Sequence, residues 1–216
     1  MRNFKEDAAL NTLNPWIYRH IKDKKYSEIG HVSYAMLGLI ATANLILILA
    51  APEIIYIFAP GPYHEAIWVI PPLAMGNFFM FMYSLFAAFE FYFEKTKFIM
   101  GASVGAAVFN IILNYICIKK FGYLAAGYTT LVCDIFYSFG HYIFMKKTCK
   151  ENIGEIKIYD MKLLLLLITG FVGIACLFTA LYNSYLWRIF SVLIILGLGV
   201  FNRNKVGNFI KKIRAK

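Results

Sequence analysis

The sequence predicts an all-α, polytopic integral membrane protein with about six transmembrane helices. Of the 216 residues, 60% are hydrophobic and only 16% are charged, whereas a soluble domain has roughly 25% charged residues. The mean hydropathy is +0.62. The net charge of +10 collects in short segments between long apolar runs, as in the cytoplasmic loops of membrane proteins. A nucleic-acid-binding protein would instead carry this charge on one folded face, so we expect no nucleic-acid partner.

Six apolar runs approach the roughly 20 residues that a membrane-spanning helix needs. Their ranges are 29–51, 66–92, 98–118, 123–145, 163–182 and 185–201. The second run contains Pro71 and Pro72, which predict a kink or an irregular end because proline interrupts helical hydrogen bonding. The resulting organisation is an amphipathic segment 1–28, a four-helix part 29–145, a basic loop 146–162, two peripheral helices within 163–201 and a basic tail 202–216.

The basic residues predict the orientation of the chain. If both termini are cytoplasmic, all of the 22 lysines and arginines lie on the cytoplasmic side except Lys119, Lys120 and Arg188. Because cytoplasmic loops are enriched in Lys and Arg, this orientation is strongly favoured over the opposite one. Trp68 and Trp187 then begin two spans at the outer surface, where indole rings often lie at the level of the headgroups.

The segment "PWIYRHIKDKKYSEI", residues 15–29, predicts an amphipathic helix that begins at Pro15, where a missing N–H costs nothing. Its apolar face would contain Trp16, Ile17, Ile21 and, more loosely, Tyr18. We interpret it as a helix lying on the inner membrane surface. A solvated cytoplasmic helix is the alternative.

Small or polar residues recur at helical spacing in four of the spans, and in the first they are His31, Ala35, Gly38 and Thr42. The stretch "TTLVCDIFYSFGH", residues 129–141, belongs to a stripe on one face of the fourth span, which consists of Gly127, Thr130, Asp134, Ser138 and His141. The third span carries Ser103, Ala106, Asn110, Asn114 and Cys117, and the second carries Asn77, Ser84, Ala88 and Glu90. The fifth and sixth spans lack ionisable groups at mid-membrane depth. The sequence therefore predicts that the first four spans surround something polar, and that the last two face lipid.

Asp134 is the first candidate for a substrate pathway or a coupling role. A carboxylate at mid-bilayer costs on the order of 3 kcal/mol, so it is rarely kept without a use. The alternative is a protonated, locally hydrogen-bonded Asp134. The other pathway candidates are Asn77, Asn110, Asn114, Thr130, Ser138, His141 and Glu90.

Each of these candidates also has a structural interpretation. For Asn110, Asn114 and Thr130 we favour hydrogen bonding between packed helices. Glu90 and His141 lie near the predicted inner interface, where their side chains could reach lipid headgroups. The sequence contains no catalytic or metal-binding motif, and we expect neither an enzyme nor a cofactor.

The chain resembles a known family in three segments. They are the linker 15–29, "APEIIYIFAPGPYHEAIWVIPPLAMGNF" (51–78) and "ASVGAAVFNIILNYICIKKFGYLAAGYTTLVCDI" (102–135). Together they resemble bacterial polysaccharide flippases, which are the O-antigen and capsule translocases of the multidrug/oligosaccharidyl-lipid/polysaccharide exporter superfamily. The matching residues in the third segment are Asn110, Ile111, Leu113, Asn114, Gly122, Ala126, Gly127 and Thr130. Lys119 and Lys120 stand where the family often has a proline.

The resemblance implies that the chain flips undecaprenyl-diphosphate-linked oligosaccharides across the bacterial inner (plasma) membrane, for O-antigen or lipopolysaccharide biosynthesis. The implied mechanism is alternating access, and the implied partners are the lipid-linked oligosaccharide and the bilayer. Such carriers have roughly twelve to fourteen helices in two related halves. We therefore expect a C-terminal fragment, a partial second half of the two-bundle fold, completed by a separately encoded N-terminal half or by a homodimer partner.

Three alternatives remain open at this point. A cation-coupled multidrug exporter of the same superfamily would share the helix pattern. A membrane-embedded glycosyltransferase or polymerase would need catalytic acids or a large outer loop, whereas the outer loops 52–65, 119–122 and 183–184 are short. A non-functional fragment is the third.

Overall fold

The structure is a computed structural model that describes residues 4–201, and within that range its regular elements are all helices. The α-helices are α1 Phe4–Lys22, α2 Tyr26–Phe58, α3 Ile70–Tyr92, α4 Thr96–Phe121, α5 Ala125–Ile153, α6 Met161–Ala180 and α7 Tyr185–Phe201. The 3₁₀ helix Gly61–Trp68 lies between α2 and α3, and the 3₁₀ helix Leu181–Asn183 lies between α6 and α7. The all-α prediction is therefore confirmed. The predicted basic tail 202–216 lies outside the described residues.

Four segments within residues 4–201 are long and apolar enough to cross a membrane. They are α2, α3, α4 and the segment Met161–Asn183 that contains α6. This supports the prediction of a membrane protein. The count of six spans stays a prediction, because α7 has 17 residues and α5 carries several charged side chains.

The helix α3 lies at the centre of the bundle. It contacts α1, α2, α4, α5 and α6, and 72% of its most apolar segment is buried. Its buried aromatic side chains include Phe78, Phe86 and Phe89. By contrast, none of the most apolar segment of α4 is buried. Within the described residues the phenylalanines of α3 fill the centre of the bundle, and the expectation that the first four spans surround something polar stays a prediction.

Two helix boundaries differ from those that the sequence predicts. Pro71 and Pro72 lie in the first turn of α3, so the second span has an irregular beginning and no kink at these prolines. The helix α5 continues to Ile153 and ends before Gly154, whose φ of 86° favours glycine. The first half of the predicted basic loop 146–162 is therefore helical.

The helix α1 begins at Phe4 and includes Pro15 in its interior, so the predicted start at Pro15 is wrong. Trp16, Ile17 and Ile21 do form its apolar face, and all three are buried. This face is covered by protein, because α1 contacts α2 and α3. Neither the interpretation of a helix lying on the membrane surface nor that of a solvated helix accounts for this packing.

The loop between α5 and α6 is fastened to α2. Asp160 caps α6 by accepting a hydrogen bond from the Lys162 amide (2.9 Å). The Asp160 amide donates to the Tyr34 hydroxyl (2.6 Å), and a hydrogen bond of 3.2 Å joins the Ser33 and Tyr159 hydroxyls. These contacts hold the beginning of α6 beside α2.

Candidate functional site

Glycines let α3 and α5 approach each other closely. A Cβ added to Gly76 of α3 would lie 2.5 Å from Asp134 Oδ2 of α5. A Cβ added to Gly127 of α5 would lie 2.9 Å from Val69 Cγ1 and 3.2 Å from Pro72 Cγ. Small residues at helix contacts are how membrane helices pack tightly. The predicted polar stripe of α5 is thereby placed against α3.

A buried pair, Glu90 of α3 and His141 of α5, joins the two helices. The His141 Nδ1 lies 2.8 Å from Glu90 Oε2 and 3.0 Å from Oε1, and the side chains are 1% and 0% exposed. The two residues therefore satisfy each other inside the protein. The interpretation in which they reach lipid headgroups is wrong.

Aromatic rings enclose this pair. The centroids of Tyr137, Tyr83 and Phe98 lie 4.5, 4.7 and 5.4 Å from that of the His141 ring. The sequence pattern did not single out these three rings, although Tyr137 precedes His141 by one helical turn and so shares its face. The rings shield the Glu90–His141 pair from its surroundings.

Two polar atoms in the same interface are buried and unpaired. Among the described residues, neither Ser138 Oγ nor His141 Nε2 has a hydrogen-bond partner. Nearly all buried polar atoms in proteins are hydrogen-bonded, so two exceptions one helical turn apart are unusual. The α3–α5 interface therefore retains unused hydrogen-bonding capacity beside its buried pair.

Asp134 lies one turn further along the same face of α5. Its side chain is half-buried, and within residues 4–201 its carboxylate makes no hydrogen bond. Among the described residues, the structure therefore lacks the local hydrogen bond that the alternative interpretation of Asp134 requires. The position beside Gly76 leaves the carboxylate against the backbone of α3.

Asn77 faces a different neighbour. Its Nδ2 donates to Asn44 Oδ1 of α2 (3.3 Å), and Asn44 Nδ2 donates to the Ile40 carbonyl (3.0 Å). Asn44 is 4% exposed. Asn77 thus joins α3 to α2, on a different helix contact from that of Asp134.

Asn110 and Asn114 of α4 face α5. Asn114 Nδ2 donates to Asn110 Oδ1 (2.8 Å), and the Thr129 hydroxyl donates to Asn114 Oδ1 (2.6 Å). Thr130, which the sequence analysis selected, donates only to the Ala126 carbonyl of its own helix (2.9 Å). The favoured interpretation of helix–helix hydrogen bonding fits Asn114, whose donor Thr129 the sequence pattern did not single out, whereas Asn110 bonds to Asn114 within α4.

Six of the eight predicted residues therefore divide among three helix contacts, and among the described residues Asn110 and Thr130 bond only within their own helices. Glu90, Asp134, Ser138 and His141 meet at the α3–α5 interface, and we take these four as the candidate site. No family model matches the chain, and no curated protein or solved structure matches it. The described side chains contain no group of three or more His, Cys, Asp or Glu residues that could hold a metal ion.

Proposed function

We propose that the chain is part of an alternating-access carrier that moves undecaprenyl-diphosphate-linked oligosaccharides from the inner to the outer leaflet of a bacterial plasma membrane. The observation that carries the proposal is Asp134, an ionisable residue on the face of α5 that packs against α3. Its carboxylate is half-buried and makes no hydrogen bond within residues 4–201. Ionisable residues at membrane depth are costly, and they typically mark substrate or ion pathways.

The sequence resemblance supports the choice of substrate, and the structure gives physical roles to residues of the matching motif. Asn114 accepts the hydrogen bond by which Thr129 joins α4 to α5. Gly122 ends α4 with a φ of 80°, a conformation that favours glycine. Gly127 is the point where α5 meets the beginning of α3. The "NIILN" and "FG" motifs thus define an α4–turn–α5 unit, which is where the resemblance is strongest.

In this proposal the contacts between α3 and α5 also change between the two states of the carrier. The buried contact between Glu90 and His141 fixes one position of α3 along α5. Ser138 Oγ, His141 Nε2 and the Asp134 carboxylate remain able to take new partners in a second arrangement. Alternating access rocks one bundle against another. In this proposal α2 to α7 all span the membrane with both termini cytoplasmic, and an N-terminal half or a second copy supplies the other bundle.

Asp134→Asn tests the proposal with little change in shape. We expect surface-glycan export to fall by about tenfold or more, because asparagine lacks the charge for the hydrogen bond that Asp134 makes in the second arrangement, and such a bond contributes about 1.5–3 kcal/mol. The measurement is surface glycan per cell at matched protein level in the membrane. The control is Asp23→Asn, the same change in an exposed loop residue, which we expect to leave export unchanged.

Unchanged export by the Asp134→Asn variant, across the pH range in which the cells grow, would refute the assigned role. A variant that exports glycan normally but alters drug efflux would favour the multidrug-exporter alternative. Reduced export with both variants would point to a general defect in assembly rather than to Asp134.

A further inference from the structure

An apolar groove lies between the last turns of α4 and the first turns of α5. Its volume is about 420 Å³. The lining includes Leu113, Cys117, Phe121, Leu124, Tyr128 and Val132. The Thr129 hydroxyl, which also borders the groove, is engaged with Asn114. The groove therefore offers its occupant an almost entirely hydrocarbon surface.

One exposed cation, Lys120, lies beside this groove, whereas Lys119 lies on the opposite face of α4 with Tyr115. Lys119 and Lys120 lie in the last turn of α4, between the lining residues Cys117 and Phe121. The Lys119 ammonium donates to the Tyr115 hydroxyl (2.7 Å), and Lys120 Nζ lies 5.4 Å from the centroid of the Phe121 ring. Within residues 4–201 neither lysine pairs with a carboxylate.

Acidic side chains at this end of the bundle have other partners. Glu53 Oε1 accepts from Arg188 (2.7 Å), and Glu65 accepts from the Tyr123 hydroxyl (3.3 Å). The third predicted outer cation, Arg188, is thus neutralised, whereas the two lysines are not. Cations also suit the C-terminal end of a helix, because they complement its dipole. That effect explains the charge of the two lysines but not the groove beside Lys120.

We propose that this groove binds a bilayer lipid with an anionic phosphate headgroup. One acyl chain occupies the space between α4 and α5, and Lys120 contacts the phosphate. The charge complementarity selects the headgroup, and the apolar lining accepts the chain. The site lies away from the Glu90–His141 interface, and the inference does not depend on the proposed transport function.

Photo-crosslinking tests the inference on the purified full chain in phosphatidylcholine vesicles. The probes are phosphatidylglycerol and phosphatidylcholine that carry the same diazirine-labelled acyl chain, and the readout is labelling of residues 113–132 by peptide mass mapping. We expect phosphatidylglycerol to be favoured by about fivefold through Lys120. Lys120→Gln should abolish the preference, whereas Lys120→Arg and the control Lys119→Gln should keep it.

A second pair of variants tests the groove itself. Val132→Trp fills it and should reduce labelling by both lipids. Val104→Trp is the matched control, since Val104 is an exposed valine of α4 outside the groove, and it should change nothing. Equal labelling by both lipids in the wild-type chain would overturn the inference, as would a preference that survives Lys120→Gln. Absence of labelling within residues 113–132 by either lipid would also overturn it.

Discussion

Glu90→Leu is expected to lower the free energy of unfolding by about 3 kcal/mol, because it leaves His141 buried without an acceptor. The two side chains lie 2.8 Å apart and are almost completely buried. The measurement is equilibrium unfolding of the purified chain in detergent micelles. The double variant Glu90→Leu with His141→Leu should recover most of the loss, since it removes both polar partners.

The matched control for this prediction is Glu151→Leu. Glu151 pairs with Lys95 at 3.3 Å, but both side chains are substantially exposed. An exposed pair contributes only about 0–1 kcal/mol. If Glu90→Leu costs no more than Glu151→Leu, the Glu90–His141 pair does not fasten α3 to α5. If the double variant is as unstable as the single one, burial of an unpaired His141 is not the cause.

Trp16→Ala has the second largest expected effect, a loss of about 3 kcal/mol, confined to the docking of α1. Trp16 is 3% exposed and stacks on His20 with ring centroids 3.7 Å apart. Its removal leaves a cavity where α1 meets the bundle. Hydrogen exchange followed by mass spectrometry should show faster exchange throughout α1, with unchanged protection in α3.

The control for α1 is Trp187→Ala, the same substitution at a residue that is 62% exposed. We expect it to leave exchange in α1 unchanged. Protection of α1 that depends on added vesicles and is insensitive to Trp16→Ala would contradict docking on the bundle. That outcome would restore the interpretation of a helix lying on the membrane surface.

The sequence predicted the positions of most helices, because the length of an apolar run and its helical spacing are local properties. The apolar face of α1 follows from the spacing of Trp16, Ile17 and Ile21, and these residues are indeed buried. The sequence pattern did not predict the residue at which α1 begins. Proline is common in the first turn of a helix, and local pattern could not distinguish that position from the interior site that Pro15 occupies.

Partners across the bundle could not be predicted in the same way. Periodicity assigns a residue to a face, but it does not say which helix that face meets. Glu90 and His141 are 51 positions apart, and nothing in either local sequence identifies the other as its partner. Thr129 and Thr130 are adjacent hydroxyls, and only packing against α4 decided that Thr129 binds Asn114.

The central claim, transport of a lipid-linked oligosaccharide, is tested most directly by depleting the protein from cells that make the surface glycan. The account predicts that undecaprenyl-diphosphate-linked oligosaccharide accumulates on the cytoplasmic face, where inverted vesicles expose it to an added glycosidase, while surface glycan declines. Wild-type protein should reverse both effects, and the Asp134→Asn variant should not. Normal surface glycan without accumulation, after the protein has been lost from the membrane, would contradict the account.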